Sequence, residues 1–398
     1  MPVEKRPASA PASYKRLTTA QLRKLLKQKE TMKKNTYQNT KKKKNKPMSQ
    51  AGQQLMKPKQ EEPMEPLAWG SAHLARPPMT MGSACTGWGT DAQACVGLGV
   101  PTVHAFGCDP LPASRKFCTE NFQYKQWVQD VFDEEFSRLP SVDLFSAGFP
   151  CQPFSTAGLG RGAHDERSSV LSPILTYLIR QRPRCFFLEN VKGLLSEKHK
   201  ALMDKMIKIL KSNGYIVEWK VLDSADYGVA QHRERLYIIG IRRDSYVTEF
   251  SWPAKLTMPP LRQFWDRRTS LKLTTTRQLN VAAHTIHKIK ANESFNPFKT
   301  SCIIDVGSGR NNYTYMVGRC PTITKARGMS PGFYDTARNT KISVREMIRL
   351  QGSDPDVYNF DCISVSAAGS LAGNAMTVTV VKELLRQLLP AAGLSLAD

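Results

Sequence analysis

Apolar residues along this chain recur with two different periods, and the switching between them sets the expected fold. Thr80–Cys85, Val103–Cys108, Val142–Ala147, Cys185–Leu188, Ile216–Leu222 and Leu236–Ile241 are short apolar runs of strand length. Between them, Val170, Leu171, Ile174, Leu175, Leu178 and Ile179 repeat at the spacing of one helix face. Leu202, Met203, Met206, Ile207 and Leu210 do the same before Gly214 stops the helix. Strands alternating with amphipathic helices predict an α/β fold: a Rossmann-like, doubly wound, mostly parallel sheet.

Two stretches break the pattern and divide the chain. Up to Pro66 the sequence is rich in Lys, Gln, Pro, Met and Thr and poor in aromatic residues, so it buries too little surface to offset chain entropy. Between Arg243 and about Arg319 the periodicity is irregular and interrupted by Pro253, Pro259, Pro260 and Pro297. Helical spacing returns at Val344–Leu350 and Met376–Leu389. The expected organisation is a disordered basic arm over 1–66, a ligand-binding domain over 67–243, a second, smaller domain over 244–340, and a C-terminal segment over 341–398 that packs back onto the first sheet.

Charge sharpens this division. The 398 residues carry 57 Lys+Arg against 34 Asp+Glu, a formal charge of +23. Residues 1–66 hold 17 of those bases and 5 of the acids, so +12 of the excess sits in the arm, with Lys41–Lys44 and Lys46 as a dense cluster. Such a balance points to polyanionic partners, with nuclear import as an expectation for the cluster. The longest apolar runs are strand-sized and the N-terminus lacks an apolar signal core, so no membrane association is expected. Nine scattered cysteines, with no zinc-type spacing, are expected to act singly, as core filler or as a nucleophile, with no metal.

Sheets of this type bind ligands at the carboxyl ends of their strands. Gly87-Trp88-Gly89 follows the first strand and lets backbone approach a ligand, while Asp109 ends the second and is placed to accept from ribose hydroxyls. A phosphate-cradling G-x-x-x-x-G-K-[ST] loop is absent from the sequence. After the strand ending near Ala147 comes Gly148-Phe149-Pro150-Cys151-Gln152-Pro153-Phe154-Ser155, with a cysteine held between two prolines.

This octet resembles the nucleophile loop of cytosine-C5 DNA methyltransferases, and further segments match the family in order. They are Glu189-Asn190-Val191, Gln231-His232-Arg233-Glu234-Arg235, Arg345-Glu346 with Arg349-Leu350-Gln351-Gly352, and Gly373-Asn374-Ala375. Gly160-Arg161-Gly162 through Asp165, Arg167 and Leu171 is a shorter echo, and the resemblance spans about residues 79 to 389. It implies a DNA (cytosine-5-)-methyltransferase that takes its methyl group from S-adenosylmethionine, flips its target cytosine out of duplex DNA and works in epigenetic marking in the nucleus. Residues 67–243 would be the catalytic, cofactor-binding domain and 244–340 the target-recognition domain. The resemblance implies Cys151 as nucleophile, Glu189 as the acid at N3 of the base, and Arg233 and Arg235 as holding its carbonyl oxygen, a phosphate or the catalytic loop. It assigns Cys85, Gly87, Trp88, Gly89, Asp109, Asp130, Pro150 and Asn374 to the cofactor, and Gln152, Ser155, Asn190 and Gln231 to the substrate. Cys85 stands where the family usually has Phe, and Asp109 where it usually has Glu. The alternatives are a tRNA cytosine methyltransferase of the same fold and an inactive chromatin-binding relative; intact Cys151, Glu189 and both arginines argue against the second.

Overall fold

The computed structural model describes residues 77–150, 170–267, 270–308 and 314–396. The expected 1–66 arm and the loop residues Cys151, Gln152 and Ser155, together with the glycines at 158, 160 and 162, lie outside the described residues.

Seven strands form the main sheet: β1 (Met79–Ala84), β2 (Thr102–Cys108), β3 (Tyr124–Val128), β4 (Leu144–Gly148), β5 (Cys185–Val191), β6 (Tyr215–Asp223) and β7 (Glu234–Arg242). Their order is β3-β2-β1-β4-β5-β7-β6. Neighbours from β3 through β5 run parallel, and β7 runs antiparallel to both β5 and β6. The chain therefore winds outward from β1 in one direction and from β4 in the other, and the crevice between their carboxyl ends is where such a sheet binds ligands. Register aligns these ends: Ala84 pairs with Cys108 and with Ala147, and Gly148 pairs with Glu189.

Strand β3 is absent from the sequence-based expectation. Its Tyr-Lys-Gln-Trp-Val has no clean alternation, because it is an edge strand with only β2 as a neighbour.

Helices cover both faces of the sheet: α1 (Thr90–Gly97), α2 (Pro112–Asn121), the short α3 (Glu134–Ser137), α4 (Leu171–Gln181) and α5 (Lys200–Ser212). On one face Ile174, Leu178, Met206 and Leu210 of α4 and α5 pack with Phe106, Phe145, Phe186 and Ile238. Phe187, one residue from Phe186, belongs to the opposite core with Met81 and Ile239, so β5 is buried on both sides.

A second sheet, antiparallel and ordered β11-β10-β8-β9, is built from β8 (Cys302–Asp305), β9 (Tyr315–Val317), β10 (Phe333–Asp335) and β11 (Thr340–Lys341). The 17-residue helix α6 (Thr276–Asn292) packs Val281, Ala282, Ile286 and Ile289 against Cys302, Ile304 and Tyr334. Its stretch reads as irregular in the sequence because Thr, His and Asn dilute the apolar stripe; the Thr275 side chain, accepting from the Gln278 N–H at 3.2 Å, caps its start.

The chain then forms α7 (Lys325–Met329), α8 (Val344–Leu350), α9 (Val365–Asn374) and α10 (Val378–Ala391). Ser343 and Glu346 make a reciprocal capping box at the start of α8. Helix α10 buries Val381, Leu384, Leu385 and Leu388 in the Met81–Ile239 core of the main sheet. Gly373 and Asn374 end α9, and the break before Val378 leaves a short non-helical turn whose polar backbone must be satisfied locally. Among the described residues, no helix is long and apolar enough to cross a membrane.

Candidate active site

The loop after β1 is shaped by backbone conformation. Cys85, Gly87 and Gly89 all take left-handed φ values, of 52°, 58° and 66°. For Gly87 this costs little, and a Cβ there would meet only the Cys85 carbonyl oxygen at 3.9 Å, so the position faces open space. Cys85 adopts the same region with a side chain, a local strain held by the surrounding hydrogen bonds. Thr86 N–H donates to the Cys108 carbonyl at 3.1 Å and Gly87 N–H to Asp109 Oδ2 at 2.9 Å, while Asp109 Oδ1 accepts from Leu111 N–H at 2.9 Å. Asp109 thus ties the loop to the end of β2. Burial raises its carboxyl above the usual range against these backbone donors. Burial, reinforced by the charges of Asp109 and Asp130, pushes the Cys85 thiol up to about 12, which keeps it a neutral surface instead of a nucleophile.

A cleft of about 360 Å³ opens beside this loop. Cys85, Gly87, Asp109 and Leu111 line one side, Gly148 to Pro150 and Glu189 to Val191 the other, with Arg233, Arg235 and the 373–376 turn behind. Gly148 and Glu189 face each other across paired strands, and a Cβ on Gly148 would lie 3.6 Å from Glu189 Oε2. The carboxyl at the end of β5 is therefore held where the chain from β4 leads toward Cys151. Glu189 is 6% exposed. Its Oε1 lies 3.2 Å from Arg235 Nε, an ion pair in which Oε1 makes no hydrogen bond. Burial raises the Glu189 carboxyl above the ordinary carboxylate range, and Arg235 and Arg233 pull it only partly back. Asn190 steadies the adjoining loop: its Nδ2 donates to the Phe149 carbonyl at 3.0 Å and its Oδ1 accepts from Val191 N–H at 2.8 Å.

Several expected ligand contacts turn out to be structural. Trp88 is fully buried; its indole N–H donates to Thr90 Oγ1 at 2.7 Å and its ring sits edge-on to Phe360 at 5.7 Å, so it anchors the loop from the core side. Gly89 is the residue before α1, with the Phe122 ring 3.1 Å from where its Cβ would be. Gln231 is fully buried, and its amide is consumed by Leu350 O at 3.0 Å, Gln351 Oε1 at 2.8 Å and Ile323 N–H at 2.9 Å. Asp130 does not line the cleft; its Oδ1 accepts from Phe132 N–H, and it acts on Cys85 through charge. Arg233 lines the cleft, yet its guanidinium donates to the carbonyls of Ile323 at 2.8 Å and Ala375 at 2.7 Å, leaving Nε without a partner. Burial, with Arg235 nearby, lowers its pKa to about 9. Asn374 is exposed and lines the cleft, as does Pro150.

Thr86, Thr90, Leu111, Leu371 and Met376 also line the cleft and were not singled out from the sequence. They carry no chemical signature; only their neighbours Gly87, Asp109 and Asn374 mark the place. Among the described residues no group of His, Cys, Asp and Glu could hold a metal ion. The open face at Gly87, the acid at the end of β2 and the apolar lining of Leu111, Leu371 and Met376 fit an adenosyl group, with Glu189 and Arg235 at the far end for a polar ring.

The family model for C-5 cytosine-specific DNA methylases matches residues 112–389. The Type II methyltransferase M.HaeII of Haemophilus aegyptius is 31% identical over 303 residues, covering 70% of this chain and 86% of that protein. M.Sau96I of Staphylococcus aureus is 30% identical over 286 residues, and the match spans 66% of this chain and 63% of that relative. The crystal structure of the S. pombe Dnmt2 methyltransferase superposes with a TM-score of 0.56 at 17% identity, over 78% of this chain and 98% of that one. A putative DNA modification methyltransferase from an E. coli prophage gives 0.57 at 17% identity, over 79% and 99%. These two structures speak to the fold. The family model covers well over half of the chain, and with it the sheet, the cleft and the Glu189–Arg235 pair find their common explanation: the chain belongs to the C-5 cytosine-specific DNA methylases, enzymes that use S-adenosylmethionine.

Proposed function

We propose that this chain methylates C5 of a cytosine flipped from duplex DNA, with Cys151 as the nucleophile and Glu189 as the acid that serves N3 of the ring. The observation that carries the reading is Glu189 itself: a carboxyl buried at the end of β5, raised in pKa and lying across from the strand that leads into Cys151.

Cytosine C5 is a weak nucleophile while the ring is aromatic. Addition of the Cys151 thiolate to C6 breaks that aromaticity and sends the electron pair toward N3, where protonated Glu189 supplies a proton. The enamine so formed is nucleophilic at C5 and takes the methyl group that S-adenosylmethionine would supply, the pair of the broken S–CH3 bond staying on sulfur as S-adenosylhomocysteine leaves. Loss of the C5 proton to a base then expels the Cys151 thiolate, Glu189 recovers its proton from N3, and the ring is restored. Arg235 steadies Glu189 and faces the ring's polar edge; Asp109, Gly87, Leu111 and Asn374 hold the cofactor.

Outside the cleft, the basic arm supplies sequence-independent phosphate affinity. The lysines at 41–44 and 46 support a nuclear location and a role in epigenetic marking, tested by whether a reporter fused to residues 1–66 enters nuclei and loses that location when the lysines become alanine. Duplex DNA and tRNA offered separately with methyl-labelled S-adenosylmethionine test the substrate: label in duplex cytosine is the expected result, and label in tRNA alone overturns the choice of DNA.

A further inference from the structure

The stretch that closes the back of the cleft is the end of α9 and the non-helical break at residues 375–377 before α10, and the buried carbonyls there need donors. Side chains from distant segments supply them. Arg233 donates to Ala375 O at 2.7 Å and to Gly373 O at 3.4 Å, Thr90 Oγ1 donates to Met376 O at 3.3 Å, and Gln351 Nε2 donates to Ala372 O. Gln351 is fully buried, and its own Oε1 accepts from Gln231 Nε2 at 2.8 Å and from Thr377 Oγ1 at 3.1 Å, while its backbone carbonyl accepts from Val378 N–H at 2.9 Å. From the other side, Gln231 Oε1 holds Ile323 N–H and Arg233 holds Ile323 O. The 323–325 segment presses so close that a Cβ on Gly373 would sit 2.4 Å from the Thr324 backbone.

We propose that Gln351 is a positioning residue of the methyl-transfer site: with Gln231 and Thr377 it fixes the 372–377 turn, and so sets the depth of the cofactor side of the cleft. It touches neither base nor cofactor. The inference rests on the cofactor-binding role given to this cleft above. Removing the carboxamide frees the Ala372 carbonyl and the Thr377 hydroxyl, lets the turn shift, and weakens the cofactor site first, because the base-facing Glu189 and Arg235 are held by β5 and β7 instead.

The test measures, on the full chain by titration calorimetry, the affinity for S-adenosylhomocysteine as probe, alongside thermal melting and the affinity for a short duplex. Gln351→Met keeps the volume and removes the polar atoms; its dissociation constant for the probe is expected to rise about tenfold, the scale of one buried carbonyl losing its donor, with duplex affinity within about twofold of wild type. Thr377→Val removes a single hydrogen bond and is expected to give about a threefold rise. In steady state the KM for S-adenosylmethionine should rise more than kcat falls. A merely structural role would lower the melting temperature and leave probe affinity per folded molecule unchanged, and that result overturns the proposal. If Gln351→Met does not melt cooperatively, Thr377→Val decides by the same criterion. Failure of the wild type to bind the probe would instead overturn the reading of the cleft, and this inference with it.

Discussion

The two sides of the cleft are built by opposite means. The loop at residues 85–89 takes its shape from three left-handed residues, and its ties come from close by: Asp109 accepts from Gly87 N–H, Ser114 and Gln93 donate to the Gly87 and Trp88 carbonyls, and Thr86 bonds the Cys108 backbone. The stretch at 372–377 has no left-handed residue and is held by the side chains of Arg233 just before β7, Thr90 of α1 and Gln351 just after α8, with the backbone of the 323–325 segment packed against it. A loop of the first kind can approach a ligand closely and tolerates change in its surroundings. A turn of the second kind fails if any remote donor is removed, but it registers the position of everything bound to it.

Changes on the reaction side of the cleft should outweigh changes to either wall. Cys151→Ser should lower methyl transfer by at least about 10³-fold while duplex binding persists, since the phosphate contacts lie elsewhere. Retention of a tenth of the wild-type turnover would remove Cys151 from the nucleophile role. Glu189→Gln keeps the shape and loses the proton, so kcat should fall about 10²-fold. The wild-type rate should also decline as pH rises through the raised pKa of Glu189, because the protonated form is the active one; that descending limb should vanish in the variant. A pH profile shared by both proteins would assign the limb to another group.

How far the site could be read in advance follows from the same contrast. Gly87 and Asp109, which line the cleft, stood out because left-handed turns and strand-end acids demand particular residue types, whereas Gly89 meets the same backbone demand outside the cleft. Glu189 and Arg235 were legible through the segments around them. Gln351 sat inside a recognised segment, yet no local pattern could show that its amide reaches Ala372, since that hydrogen bond depends on how α8 and α9 meet. Gln231 and Trp88 illustrate the reverse error. Both lie in segments that build the cleft, and both turn inward, because polar atoms on Gln231 and the bulk of Trp88 satisfy demands of the core. In the fold, the other strands of the main sheet and helices α4 and α5 followed from periodicity, while β3 and α6 escaped it: one is an edge strand, the other a helix whose stripe is thinned by Thr, His and Asn.

Paired glycine substitutions would sharpen the contrast between the walls. Gly87→Ala meets no neighbour but must hold a φ of 58°, at a cost of about 1–2 kcal/mol, so the cofactor dissociation constant should rise roughly tenfold with at most that modest loss of stability. Gly373→Ala has an unstrained φ and a backbone clash at 2.4 Å, so it should cost about 3 kcal/mol of stability through overpacking. Calorimetric binding and thermal melting distinguish the two; similar melting temperatures for both variants would contradict the difference drawn here. The smallest effect on turnover should come from deleting residues 1–66. Binding should weaken and its salt dependence flatten by close to one unit of slope for each phosphate that the arm neutralises, while turnover at saturating DNA stays at the wild-type level.

The central claim is a covalent addition of Cys151 to cytosine C6, and a duplex carrying 5-fluorocytosine tests it most directly. Fluorine at C5 cannot depart as a proton, so the adduct should persist once the methyl group has been transferred. With S-adenosylmethionine present, the wild-type chain should form a one-to-one protein–DNA complex that survives denaturation, and Cys151→Ser should form none. A complex of equal yield with Cys151→Ser, or a wild-type enzyme that methylates ordinary cytosine yet leaves no trapped complex, would contradict the account.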